Sequence, residues 1–160
     1  MVLNANFLFI DLEWEQYMNR ASDNDRILEI GATMLGKEAE FIKYIKPGYP
    51  VRKRIWNLLN LSKKQLDEGI TLEEAMSALS DYAGDVGIVM VWSQSTKRKL
   101  GLLANKYGHK NLIKNVIVLQ DILMEHMKTK DAISFDNALI AMEIKYDPRV
   151  FYVSSMVKML

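Results

Sequence analysis

The chain of 160 residues contains no cysteine, which excludes disulfides, thiolate zinc sites and cysteine nucleophiles. Histidine is nearly as scarce, with only His109 and His126 to serve as a base or a metal ligand. Charge of one sign is also lacking. With 21 basic and 20 acidic residues the net charge is +1, so the chain as a whole has no basic excess of the kind that drives non-specific nucleic-acid binding. A local basic face is still open. No stretch approaches the ~20 apolar residues of a membrane helix. The opening MVLNANFLFIDLEWE has no basic region or long apolar run of a signal peptide, because Asp11 and Glu13 interrupt it. The expectation is a cytoplasmic protein with no membrane segment, forming one domain over residues 1–160.

What is present alternates between two periods. Phe7-Leu8-Phe9-Ile10 is a short continuous apolar run, as expected of a strand buried on both faces. Arg26 to Leu35 and Glu40 to Ile45 read as two further strands, joined at Gly36-Lys37 and stopped by Lys46-Pro47-Gly48. Short links between them predict an antiparallel meander. Helical spacing follows at Ile55 to Leu61, from Ser62 to Glu68, and from the Thr71–Glu74 capping box to about Tyr82. Ile88 to Trp92 predicts a fourth strand, Ser95 to Tyr107 a helix closed by Gly108, and Val116 to Leu119 a fifth strand. Asp121 to Lys128, Ser134 to Ile144 and a piece from Phe151 onward read as helices, with Asp121 as an N-cap. The natural assembly is α/β: one mixed five-stranded sheet, its first three strands antiparallel, flanked by helices.

Asp11 and Glu13 stand at i and i+2 of the first strand, so both side chains project from one face. Carboxylates there must be solvated, paired or bound to metal, because isolated burial costs too much. Two oxygen donors on one face suit Mg²⁺ or Mn²⁺. The alternative is that the strand ends at Ile10 and both acids are exposed.

Phe9-Ile10-Asp11-Leu12-Glu13, the strand Ile27-Leu28-Glu29-Ile30-Gly31-Ala32 and Phe41-Ile42-Lys43-Tyr44-Ile45-Lys46-Pro47 together resemble the start of the DnaQ-like 3′-5′ exonucleases. Leu59 to Ile70, with the helix after it, is most similar to the KapD-like branch. Val89 to Trp92 falls where the fourth strand belongs, and Asn137 to Tyr146 resembles the helix before the last motif. The resemblance implies an RNase H-like fold and a DEDDh site, in which four carboxylates hold two divalent ions and a histidine activates water. Asp11 and Glu13 match the first two carboxylates. Thr96, or Ser95 in a shifted register, stands where the third belongs. Val150 takes the place of the histidine and Ser155 that of the last aspartate, so three of the five catalytic groups are replaced. Two dications ~4 Å apart repel by about 17 kcal/mol at an effective dielectric near 20. Two carboxylates and a pair of hydroxyls do not offset that, which leaves one weak ion at Asp11 and Glu13, or none. His109, His126, Asp121 and Asp147 are poor substitutes: the histidines lie far from the final motif, and the aspartates fall outside the matching positions.

Basic clusters at Arg52-Lys53-Arg54, Lys63-Lys64 and Lys97-Arg98-Lys99, with Trp14, Trp56 and Trp92, form a candidate base-stacking, phosphate-holding surface. The alternative is solvated helix faces and core tryptophans, preferred for Trp92. The candidate contacts with nucleic acid are Trp14, Leu61, Lys63, Lys64, Lys97 and Arg98. Met156, Val157, Met159 and Leu160 make an apolar C-terminal segment suited to a homodimer or a protein partner. Two functions follow: a 3′-5′ exonuclease-family protein that acts on or binds single-stranded DNA or RNA ends with weak or lost catalysis, or a pseudo-exonuclease that serves as a protein-interaction or regulatory module.

Overall fold

A computed structural model describes residues 6–16, 26–37, 39–144, 156, 158 and 159. Its elements run β1 (Phe7–Glu15), β2 (Arg26–Met34), β3 (Phe41–Tyr44), α1 (Lys53–Leu59), α2 (Lys63–Asp67), α3 (Leu72–Ala83), β4 (Ile88–Val91), α4 (Gln94–Tyr107), β5 (Val116–Val118), α5 (Leu119–His126) and α6 (Phe135–Ala141). The five strands form one mixed sheet in the order β3-β2-β1-β4-β5. β1 pairs antiparallel with β2 and parallel with β4, which places it at the centre.

β1 extends to Glu15, past the expected apolar run, because β2 offers partners as far as Arg26. Alternation along it separates the two faces. Leu8, Ile10 and Leu12 join Ile27, Ile30 and the inner side of α3 and α4 in the main core. Phe9 faces the other way, packed with Met90, Leu119 and Met156. A third cluster, Leu28, Val51, Ile55, Leu61 and Leu66, lies beneath α1 and α2. Pairing of β1 with β2 skips Leu28, so that Glu13 faces Glu29 while Trp14 faces Ile27. This bulge turns Leu28 to the side of Glu29 and lets α1 and α2 cover that end of the second face.

The helices start where local chemistry predicts. The Ser62 and Thr71 hydroxyls each accept from the backbone N–H of the third residue of their helix, whose side-chain oxygen in turn accepts from the cap residue's own N–H, completing two capping boxes. Asp121 corrects the expected cap: α5 begins two residues earlier, with Val118 before it, and Asp121 lies inside the first turn. There its carboxylate accepts from Gln94 Nε2 at 2.6 Å, tying α5 to the start of α4. The expected helix from Phe151 lies outside the described residues apart from the buried Met156. Among the described residues no helix is long and apolar enough to cross a membrane.

Candidate functional site

The second face of β1 carries Phe9, Asp11, Glu13 and Glu15 in turn, roughly 7 Å apart. The two apolar clusters cover its ends, Phe9 and Met90 on one side and Leu28 with Leu66 on the other. Asp11 and Glu13 fall in the gap between them, half-buried. The partner of Asp11 on β2 is Gly31, which has no side chain to fill the space beside it. Opposite Glu13 stands Glu29, and opposite Glu29 on β3 stands Tyr44. A row of polar side chains therefore crosses three strands.

Like charges directly opposite one another in a sheet are destabilising, and this row shows it. Burial first, then the neighbouring charges of Asp11 and Glu29, pushes the Glu13 carboxyl well above its ordinary range. Burial also raises Asp11, only partly countered by the Leu12 backbone N–H donating to its carboxylate. Glu29 is pushed up from 4.5 to about 7 by burial and then by Asp11. Tyr44 is raised by burial and by Glu29, against a hydrogen bond with Gln65. Among the described residues no cation pairs with these carboxylates. One residue further along the same face the situation reverses. Glu15 is buried, which alone would raise it, but Arg26 and Arg52 both donate to its carboxylate and hold it below its ordinary value.

Glu29 is the residue that sequence reasoning missed. It lay inside the strand Ile27 to Ala32, but nothing in the sequence fixed the register that sets it against Glu13. The intervening residues 17–25 are too long for a tight turn to dictate pairing, and the bulge at Leu28 shifts the faces by one. Glu15 was legible in principle, as the next member of the series Asp11, Glu13.

Thr96, expected at the third carboxylate, is buried in the first turn of α4. Its N–H donates to Ser93 Oγ at 3.2 Å, and the two hydroxyl oxygens are 3.1 Å apart. Its side chain is thus part of a helix cap. Ser95, the alternative, is exposed. Val150, Ser155 and Asp147 lie outside the described residues. His109 precedes a 3₁₀ turn at Lys110–Ile113, and His126 is exposed at the end of α5.

Two candidate contacts are corrected. Trp14 alternates away from Glu13 and packs half-buried against the main core, opposite Ile27. It does not share the carboxylate face. Leu61 is buried with Val51, Ile55 and Leu66, so its side chain is core. Lys63 and Lys64 are exposed and pair along α2 with Asp67 and Glu68, contacts of small energetic weight. Lys97 and Arg98 are exposed on α4. Trp92 belongs to the core as expected, edge-on to Phe135 with ring centroids 5.1 Å apart.

Asp11 and Glu13 are hard oxygen donors with no cation beside them among the described residues, which fits one Mg²⁺ or Mn²⁺ of the kind the resemblance implies. Among the described residues no group of three acidic or histidine side chains is arranged to hold an ion, so Glu29 does not complete a third ligand.

This strand order is that of the RNase H-like fold, which the chain shares with solved DEDDh exonucleases. Comparison of the sequence with known protein families finds no match, and neither does comparison with curated proteins. The solved structures do match. The nuclease domain of 3′hExo, a DEDDh family member bound to rAMP, gives a TM-score of 0.75 at 15% identity, over 96% of this chain and 86% of that one. A 3′-exonuclease in 3′-end-specific recognition of a histone mRNA stem-loop gives 0.76 at 13%, over 96% and 61%. Escherichia coli exonuclease I in complex with a dA16 oligonucleotide gives 0.69 at 12%, over 97% and 40%. The chain spans about three fifths of the second of these and two fifths of the third.

Proposed function

We propose that this protein binds the 3′ end of single-stranded nucleic acid on the Asp11–Glu13 face, and that two-metal hydrolysis there is lost. The observation that carries the reading is the pair of correctly spaced, half-buried acids Asp11 and Glu13, both with raised carboxyls and with no cation beside them among the described residues. Thr96, which the resemblance sets at the third carboxylate, brings no negative charge and bonds to Ser93. Solved neighbours of the same fold supply the ligand class. One is bound to rAMP, one recognises an RNA 3′ end, and exonuclease I has been solved with single-stranded DNA and zinc. Asp11 and Glu13 would hold at most one divalent ion, which would neutralise the face so that a terminal phosphate can approach. Affinity with the KapD-like branch belongs to this proposal and rests on the Leu59 to Ile70 segment alone.

The test compares a linear single-stranded oligonucleotide with a circular one of the same length and composition, by anisotropy in the presence of Mn²⁺. Tighter binding of the linear form, lost in Asp11→Ala, is expected. Equal affinity for the two would mean that no 3′ end is recognised. A salt titration adds the number of phosphates engaged, since log affinity falls with slope about −0.7 per phosphate for a single strand. A protein-interaction role without nucleic acid is the second reading. Met156, expected in a partner surface, is instead buried against Phe9 and Met90 as part of the chain's own core, and lends that reading no support.

A further inference from the structure

The chain is nearly neutral, yet its basic residues are not evenly spread. From Phe41 to Leu66 there are seven lysines and arginines (positions 43, 46, 52, 53, 54, 63 and 64) and no acidic residue. That segment carries +7, against +1 for the whole chain, so the remainder nets −6. In the fold this segment is β3, the loop after it, α1 and α2 as far as Leu66. The last residue of α2, Asp67, pairs with Lys63, Glu68 pairs with Lys64 and Glu15 with Arg52, so three of the seven are ion-paired. The segment encloses a groove of about 630 Å³ lined by Pro47, Tyr49, Pro50, Trp56, Lys63 and Asp67. The volume is that of a site for a small organic ligand.

Two aromatic rings give this groove its character. Trp56 is half-buried, packed against the Leu28–Leu66 cluster while also lining the groove. Tyr49 is 64% exposed, an unusual placement for a large ring. It is held in place nonetheless. The Arg26 guanidinium lies 4.0 Å from the Tyr49 ring centroid and donates to the Tyr49 carbonyl at 2.5 Å and the Pro50 carbonyl at 3.2 Å. Arg26 is fixed in turn by Glu15, which also accepts from Arg52 Nε at 2.5 Å and from the Arg52 backbone N–H at 3.2 Å. The wall of the groove is thus tied to the end of β1. Glu15 lies four residues beyond Asp11 on the same face, roughly 13 Å along the strand.

We propose that this groove is a second nucleotide subsite, in which a base upstream of the 3′ end stacks on Tyr49 and Trp56 while its phosphates meet the basic segment. This rests on the reading of the Asp11–Glu13 face given above and extends it to a longer strand. Flat aromatic surfaces beside lysines and arginines suit a nucleobase and its phosphate. An acidic peptide would use the charge but leave the rings without a planar partner.

The test uses a labelled single-stranded 12-mer, the same strand with abasic sites, and a polyglutamate peptide of equal charge. The wild-type protein is expected to prefer the strand with bases. Tyr49→Ala, at an exposed position that spares the core, is expected to weaken that strand by roughly 5- to 100-fold, the range for loss of one stacked base. It is expected to leave the abasic strand unchanged. Trp56→Phe should fall between. If the wild type binds the 12-mer but Tyr49→Ala binds it equally well, the groove is not a base subsite, whereas 3′-end recognition stands. If the wild type binds no oligonucleotide, both readings fall. Equal binding of polyglutamate and the 12-mer would also overturn the subsite, because charge alone would then account for the affinity.

Discussion

Four acidic side chains on one sheet face behave in opposite ways, and their partners explain why. Glu15 is answered by two guanidinium groups, whereas among the described residues Asp11, Glu13 and Glu29 are answered by none. The consequences for stability have opposite signs. Glu15 has a depressed carboxyl, so its contribution is present at neutral pH and lost as the pH falls through its folded value, below 4.5. The other three are raised, so the folded state holds more protons than the unfolded one between about 4.5 and 7. Their protonated forms favour folding, and that benefit is lost as the pH rises through this window. Glu29→Gln is therefore expected to stabilise the metal-free protein at pH 8 by about 1 kcal/mol, after allowance for partial exposure. It should have little effect at pH 4, and thermal melts at the two values check this. Glu15→Ala should cost about 3 kcal/mol at pH 7, because it leaves Arg26, which is largely buried, without its counter-charge. Denaturant unfolding of the variant measures that loss.

The elements were largely legible because their signals are local. The capping boxes at Ser62 and Thr71, the apolar runs of β1 and β4 and the closing Gly108 all act within a few residues. What was not legible depends on pairing between distant segments. β1 runs to Glu15 only because β2 is there to pair with it, and the bulge at Leu28 decides which side chains face Glu13. For the same reason Trp14 and Leu61 were assigned to the wrong surroundings: their sequence neighbours are polar, but their faces are buried. Gly69 is a further case. A Cβ there would lie 2.7 Å from the Tyr44 carbonyl oxygen and 2.8 Å from the Lys46 nitrogen, where α2 ends against β3. Both neighbours are backbone and cannot swing aside. Gly69→Ala is expected to cost about 2 kcal/mol and to lower the melting temperature by roughly 4–8 °C, as read by calorimetry.

Taken together, the fold supplies the sheet platform that the solved DEDDh exonucleases share, and seven of its 21 basic residues fall between Phe41 and Leu66. The sheet order and the place of Asp11 on the central strand belong to that platform. Thr96, which the resemblance sets at the third carboxylate, is bonded to the capping Ser93, and among the described residues Glu29 adds negative charge without completing a group of three ligands. One divalent ion should therefore bind weakly and raise the melting temperature at pH 8 more than at pH 5, since binding to the folded state alone stabilises it. Whether the platform still cuts is decided by incubating a labelled single-stranded oligonucleotide with excess protein and Mn²⁺, beside Asp11→Ala. The expected result is a bound strand of unchanged length with the wild type. Stepwise shortening from the 3′ end that Asp11→Ala abolishes would contradict it and would restore this face as a working nuclease site.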